Sequence, residues 1–166
     1  MAVPFDQRPD LIWFDGKLVP TSDATISVLT HGLHYASAVF EGERAYGGTI
    51  YKGTEHSERL KRSANILDFE IPYSVAEIDA AKRLVLDRNN QKEAYVRAIA
   101  WRGSEQLGVS AQQNKIHLAV ATWEWPSYFD PAQRLKGIRI TRPWPATAPS
   151  APSRSTVPRR WVMPTP

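Results

Sequence analysis

HGLHYASAVFEGERAYGGTIYK, residues 31–52, is the stretch that decides the fold class. Its second half alternates and then meets Gly47-Gly48, which reads as a strand, a tight turn and a returning strand. Its first half, around His34 to Ala38, reads as a short helix. Upstream, LIWFDGKLVP (11–20) sets Asp15-Gly16 between two apolar segments. That is a hairpin signature, because glycine readily takes the positive φ that a tight turn needs. Downstream, Thr54 opens a helical stretch in which Leu60, Ala64 and Leu67 recur at i, i+4 and i+7 as a buried stripe. His56, Arg59 and Ser63 lie on an adjoining face. Beyond Pro72, Ser74-Val-Ala-Glu77 is a capping-box pattern, in which the serine and glutamate side chains satisfy exposed backbone N–H groups. Ile78, Ala81 and Val85 then supply an apolar face, and Asn89-Asn90 ends the helix. In AYVRAIAW (94–101) small apolar residues alternate with Tyr95, Arg97, Ile99 and Trp101, so Tyr95 and Arg97 project to one side of a strand. IHLAVATW (116–123) is a more continuously apolar strand, and Gly137 to Thr141 reads as another. Hairpin, hairpin, helix, helix, strand, strand indicates an α+β fold with helices packed on a largely antiparallel sheet.

Composition narrows the setting. A chain of 166 residues, 42% hydrophobic and 23% charged, has the balance of a globular domain. There is no cysteine, which excludes disulfides, thiolate metal sites and a cysteine nucleophile. The N-terminus MAVPFDQRPD is charged and has no apolar core, and no apolar run approaches the roughly 20 residues needed to span a bilayer. The expected setting is cytoplasmic, with no membrane partner. The net charge of +4 is uneven: 14 basic and 17 acidic residues up to Gln133 give −3, whereas seven basic and no acidic residues follow. Seven of the 13 prolines lie between Pro143 and Pro166. A patterned body, residues 1–133, therefore gives way to a basic, proline-rich segment, residues 134–166, expected to be disordered beyond a short strand remnant.

The residue pattern alone supports modest chemistry. His31 and His34 stand at i, i+3, yet no carboxylate motif accompanies them, and structural or pocket-lining histidines are the favoured reading over metal ligands. HSERL lacks zinc-protease spacing, and no G-x-G-x-x-G, P-loop or G-x-S-x-G motif is present. Arg59 suits a phosphate by its planar fork, but spacing equally permits a solvated arginine beside Glu55 and Glu58. A tyrosine hydroxyl and a guanidinium at Tyr95 and Arg97 would suit a carboxylate, and an exposed sheet face explains them as well.

Taken together, LIWFDGKLVP, TISVLTHGLHYASAVFEGERAY, EHSERLKRSA and AYVRAIAW resemble, in order from about Asp10 to Pro149, the branched-chain amino-acid aminotransferases of the fold-type IV pyridoxal phosphate class. LHYASAVFEG at Leu33–Gly42 is the most specific part. The resemblance implies the small N-terminal domain of that fold and the cofactor pyridoxal 5'-phosphate, with Arg59 on its phosphate. It implies that Tyr35 and Phe40 wall an apolar side-chain pocket beside Gly42, with Trp125 and Tyr128 in the same pocket. Tyr95 and Arg97 would receive the distal carboxylate of glutamate. Leu107-Gly108-Val109 resembles a loop reaching into a neighbouring subunit's site, which implies a homo-oligomer. The implied substrates are leucine, isoleucine or valine with 2-oxoglutarate, and the implied chemistry runs through a Schiff-base lysine that also shuttles a proton.

The sequence departs from that family after PATAPSA (145–151). Ser153 or Arg154 stands where the Schiff-base lysine belongs, and the last lysine is Lys136. Serine has no amine, and a guanidinium stays protonated and does not condense with an aldehyde. The segment between Ile140 and Pro143 is also short for the family, and the family's second domain is missing from this sequence. A reading-frame change is the hypothesis that fits this break; a coding region with no lysine-containing continuation in another frame would refute it. The expectation is an aminotransferase by descent that is inactive alone and takes no nucleic acid or metal. Its alternatives are an interaction module acting through the basic tail and an enzyme completed by a separately encoded half.

Overall fold

The computed structural model describes residues 3–125 and 131–137. Compact units divide the chain at Met1–Pro126 and Ser127–Pro166, the first ending before the 133/134 boundary expected from composition. Of the second unit only one helix is described, α4 (Pro131–Lys136), and the strand expected at Gly137–Thr141 falls outside the described residues apart from Gly137 itself. The first unit is α+β. Its strands are β1 (Leu11–Phe14), β2 (Lys17–Pro20), β3 (Ala38–Tyr46), β4 (Thr49–Ile50), β5 (Ala94–Arg102) and β6 (Ile116–Glu124). They form one antiparallel sheet in the order β2-β1-β6-β5-β3-β4. Among the described residues no helix is long and apolar enough to cross a membrane.

Local chemistry builds these elements where the sequence indicates them. Asp15 and Gly16 take positive φ at the β1–β2 turn. Asp15 then fastens that turn to β6, accepting from the Leu118 amide and approaching His117 Nδ1 at 2.6 Å. Helix α2 (Gly53–Ile66) buries Leu60 and Ala64. Leu67, expected in the same stripe, is 40% exposed: the helix stops at Ile66, and Phe69 and Ile71 fill the core instead. Helix α3 (Val75–Arg88) starts on a complete Ser74–Glu77 capping box and buries Ile78, Ala81 and Val85. Asn89 follows it and ties that end to the Leu11 backbone and to Thr122. The short helix α1 is His31–Tyr35, a turn earlier than the sequence suggests, because Ala36 adopts left-handed φ and ends it.

Both long helices cover one face of the sheet. Ala45, Ala94, Val96, Ala98, Ala100, Leu118 and Val120 lie beneath them. The alanines bring the helix backbones close, and burial of their neighbours supplies roughly 25 cal/mol per Å² of apolar area. The opposite face carries the large members of the alternation, and among the described residues no helix of comparable length lies against it.

Candidate functional site

Strand β3 sets the site because its parity separates two chemistries. Val39, Glu41, Glu43 and Ala45 turn toward the helices, while Phe40, Gly42 and Arg44 turn to the open face. On the open face, Gly42 pairs with Arg97 and Arg44 with Tyr95. A Cβ on Gly42 would come within 2.0 Å of the Tyr95 hydroxyl, so the missing side chain is the space in which that ring lies. Arg97 Nη2 donates to Tyr95 Oη at 2.8 Å, and the guanidinium sits 4.1 Å from the centre of the Phe40 ring. The rings of Trp123 and Trp125 lie tilted against Tyr95, with centroids 4.7 and 5.2 Å away, closing the group on the β6 side. The result is one always-charged donor held between aromatic faces, with a hydroxyl beside it. That arrangement suits a carboxylate joined to an apolar body. Toward β1 the same face becomes an apolar hollow of about 300 Å³, walled by Ile12, Phe14, Ile26, Leu33, Ile99 and Trp101.

On the helix side, Glu41 is the centre. Arg59 of α2 grips it with both prongs, Nε to Oε1 at 2.7 Å and Nη2 to Oε2 at 2.6 Å, and His56 Nδ1 lies 2.8 Å from Oε2. Arg59 is therefore not paired with Glu55 or Glu58, which meet Lys52 and Arg62. Burial alone would raise the Glu41 carboxyl, but the hydrogen bonds and charges of Arg59 and His56 outweigh it and hold the group below the usual carboxylate range. Two residues on, Glu43 is fully buried against Lys82 of α3 at 2.6 Å. There burial prevails over the lysine's charge, and the Glu43 pKa is raised. Lys82 also donates to Ser57 and to the Gly53 carbonyl, and Asp79 accepts from Ser57 and Thr54.

Of the residues singled out from sequence, Phe40, Gly42, Tyr95, Arg97 and Trp125 belong to the open-face group. Tyr35 and Val109 do not join it. They line a separate hollow of about 320 Å³ with Arg102 and Gln112, and Val109 is 88% exposed. Arg102 holds this loop in place, donating to the carbonyls of Ala111 and Asp68. Tyr128, Ser153 and Arg154 lie outside the described residues. His31 is held by Ser37 and the Gly108 carbonyl, and His34 approaches the Val28 carbonyl at 2.9 Å. Among the described residues no group of three or more histidines and carboxylates is placed to hold a metal. Sequence reasoning missed Arg44, which shares the strand face of Gly42 two residues away, and Trp123, which pairs with Tyr95 across β5 and β6. It also missed Glu41, whose partners are 15 and 18 residues away.

The family model for class IV amino-transferases matches residues 38–158. The chain belongs to that family. The branched-chain-amino-acid aminotransferase of Pseudomonas aeruginosa is 42% identical over 137 residues, covering 80% of this chain and 45% of that protein. Among solved structures, the branched-chain amino acid aminotransferase of Escherichia coli superposes with a TM-score of 0.70 at 33% identity, covering 75% of this chain and 42% of the other. A thermophilic archaeal counterpart, from Thermoproteus uzoniensis and solved with norvaline, gives 0.68 at 31% identity, covering 72% and 42%. Other branched-chain aminotransferase structures that match at 39% and 41% identity hold pyridoxamine 5'-phosphate and N-(5'-phosphopyridoxyl)-L-glutamate. The chain thus spans less than half the length of these class IV relatives.

Proposed function

We propose that this chain carries the N-terminal share of a branched-chain amino-acid aminotransferase site, working on leucine, isoleucine or valine with 2-oxoglutarate in a cytoplasmic setting. The observation that carries the reading is the open-face group: Arg97 bonded to Tyr95, seated over Gly42 and walled by Phe40. In this role Arg97 and Tyr95 bind and orient the distal carboxylate of glutamate. Phe40 and Trp125, with Tyr128, exclude water around an aliphatic side chain. Arg59 fits a phosphate, since its guanidinium is always charged, its side chain is 57% exposed, and among the described residues the Nη1 prong takes no partner. Bound pyridoxal phosphate would supply the electron sink for amino transfer. Tyr35 and Val109, set apart from the Phe40 group, are assigned to the site of a second copy, which makes the functional form a homo-oligomer.

The proton at the reacting carbon has no assigned carrier here. Among the described lysines, Lys82 is committed to Glu43 and Ser57, and Lys61 donates to the carbonyls of Ile71 and Tyr73. No lysine follows Lys136 in this sequence. Because Ser153 or Arg154 stands where the resemblance places the Schiff-base lysine, the 166-residue chain on its own is expected to be inactive in transamination. Incubation with pyridoxal phosphate, borohydride reduction and peptide mass spectrometry test this. Weak labelling scattered over several lysines is expected, and one dominant adduct accompanied by amino transfer would overturn the inactive-alone reading.

A further inference from the structure

We propose that Glu41 is a positioning residue, fixing the guanidinium of Arg59 so that its outer prong is presented to a phosphate. The inference rests on the reading of Arg59 as the phosphate-binding residue. Arg59 leaves α2 on its solvent side, where a free arginine would sample many rotamers. It does not do so here, because a carboxylate that is only 5% exposed rises from β3 and takes both inner N–H positions. A guanidinium has five N–H groups in a fixed plane, so fixing Nε and one side of Nη2 fixes the direction of Nη1 as well. Among the described residues the other nearby glutamates are engaged elsewhere. Glu43 is occupied by Lys82, Glu55 by Lys52, and Glu58 faces Arg62.

The charge balance separates this role from simple attraction. Glu41 cancels the charge of Arg59, so it cannot help draw an anion in; electrostatically it opposes one. Removing its charge gains affinity if attraction governs the site and loses affinity if orientation does. The two accounts predict opposite signs. The strand adds a reason for orientation to matter: Phe40 and Gly42, the neighbours of Glu41, stand on the open face. The direction of the Arg59 fork is therefore set from β3, the strand that also carries Phe40 and Gly42 and pairs directly with the β5 residues Tyr95 and Arg97.

The test measures pyridoxamine 5'-phosphate and pyridoxamine binding to the full 166-residue chain by calorimetry, taking the affinity ratio as the contribution of the phosphate. Wild type is expected to prefer the phosphorylated form, and Arg59→Gln to lose that preference. Glu41→Gln, nearly isosteric, is expected to lower it about tenfold through lost pre-organisation. The Arg59 Nε–H signal in ¹⁵N spectra should then exchange rapidly while the α2 amides stay in place. Arg59→Lys keeps the charge without the fork, guards against a Glu41 variant that fails to fold, and should bind as poorly as Arg59→Gln. An unchanged or increased preference in Glu41→Gln, or full preference in Arg59→Lys, overturns the role of Glu41 and leaves Arg59 as the phosphate ligand. Equal affinity of wild type for both compounds overturns the reading of Arg59, and this inference with it.

Discussion

The two faces of one sheet solve opposite problems with the same strands. Under α2 and α3 the sheet presents alanines, valines and two glutamates, and both glutamates are paired with side chains of the helices. The open face presents Phe40, Tyr95, Arg97, Trp123 and Trp125, large groups that contact one another. The covered face spends its chemistry on holding the fold. The open face carries a guanidinium and a hydroxyl bonded to one another among aromatic rings. The comparison teaches that stability and binding are divided here by side-chain parity along a strand.

The sharpest way to break that division is Lys82→Met. It would strand Glu43 as a buried charge and is expected to cost about 3–5 kcal/mol in urea unfolding at neutral pH. Because burial already raises the Glu43 pKa, the loss should shrink on acidification as that carboxyl takes up a proton. A loss that is constant with pH would refute the account. Next come two truncations on paired strands. Leu118→Ala, on the covered face, should cost about 2–5 kcal/mol, whereas Ile99→Ala, on the open face, should fall near the low end of that range or below it. Equal losses would remove the distinction between the faces.

Glu41→Gln gives a smaller effect with a definite pH signature. A carboxyl held below its usual range stabilises the fold above that range, and the benefit disappears as pH falls through its lowered value. The stability gap between wild type and Glu41→Gln should therefore be present at pH 7 and close in strong acid. For Glu43 the sign is reversed: its ionisation is unfavourable, so its burden grows as pH rises from the ordinary carboxylate range through its raised value. The smallest expected effect is Ser74→Ala, about 1 kcal/mol by thermal melting, since it removes a helix cap remote from both faces' chemistry.

What could be read from the sequence was what depends on neighbours in the chain. Asp15-Gly16, the Ser74–Glu77 box and the alternation through Tyr95 and Arg97 are local signals, and the structure carries all three. Leu67 shows the limit: it continues the period, but the period does not announce that the helix has ended one residue earlier. The placement of α1 failed for a similar reason, as a left-handed Ala36 has no sequence signature. Neither the strand order nor the face the helices cover is local, so the partnership of Glu41 with Arg59 could not be seen. The assignment of Arg59, Tyr95 and Arg97 to chemistry came from family resemblance, and spacing alone left each with a bland alternative.

Strand β3 carries one further consequence, for how such a sequence can change over time. Substitutions can retune either face independently, since neighbouring residues point apart. A single inserted or deleted codon inside 38–46 cannot: every residue beyond it would change sides, carrying Phe40 or Gly42 beneath the helices and Glu41 into the open. Relatives that have diverged widely in identity should therefore keep this segment at constant length, with gains and losses of residues confined to the turns that flank it.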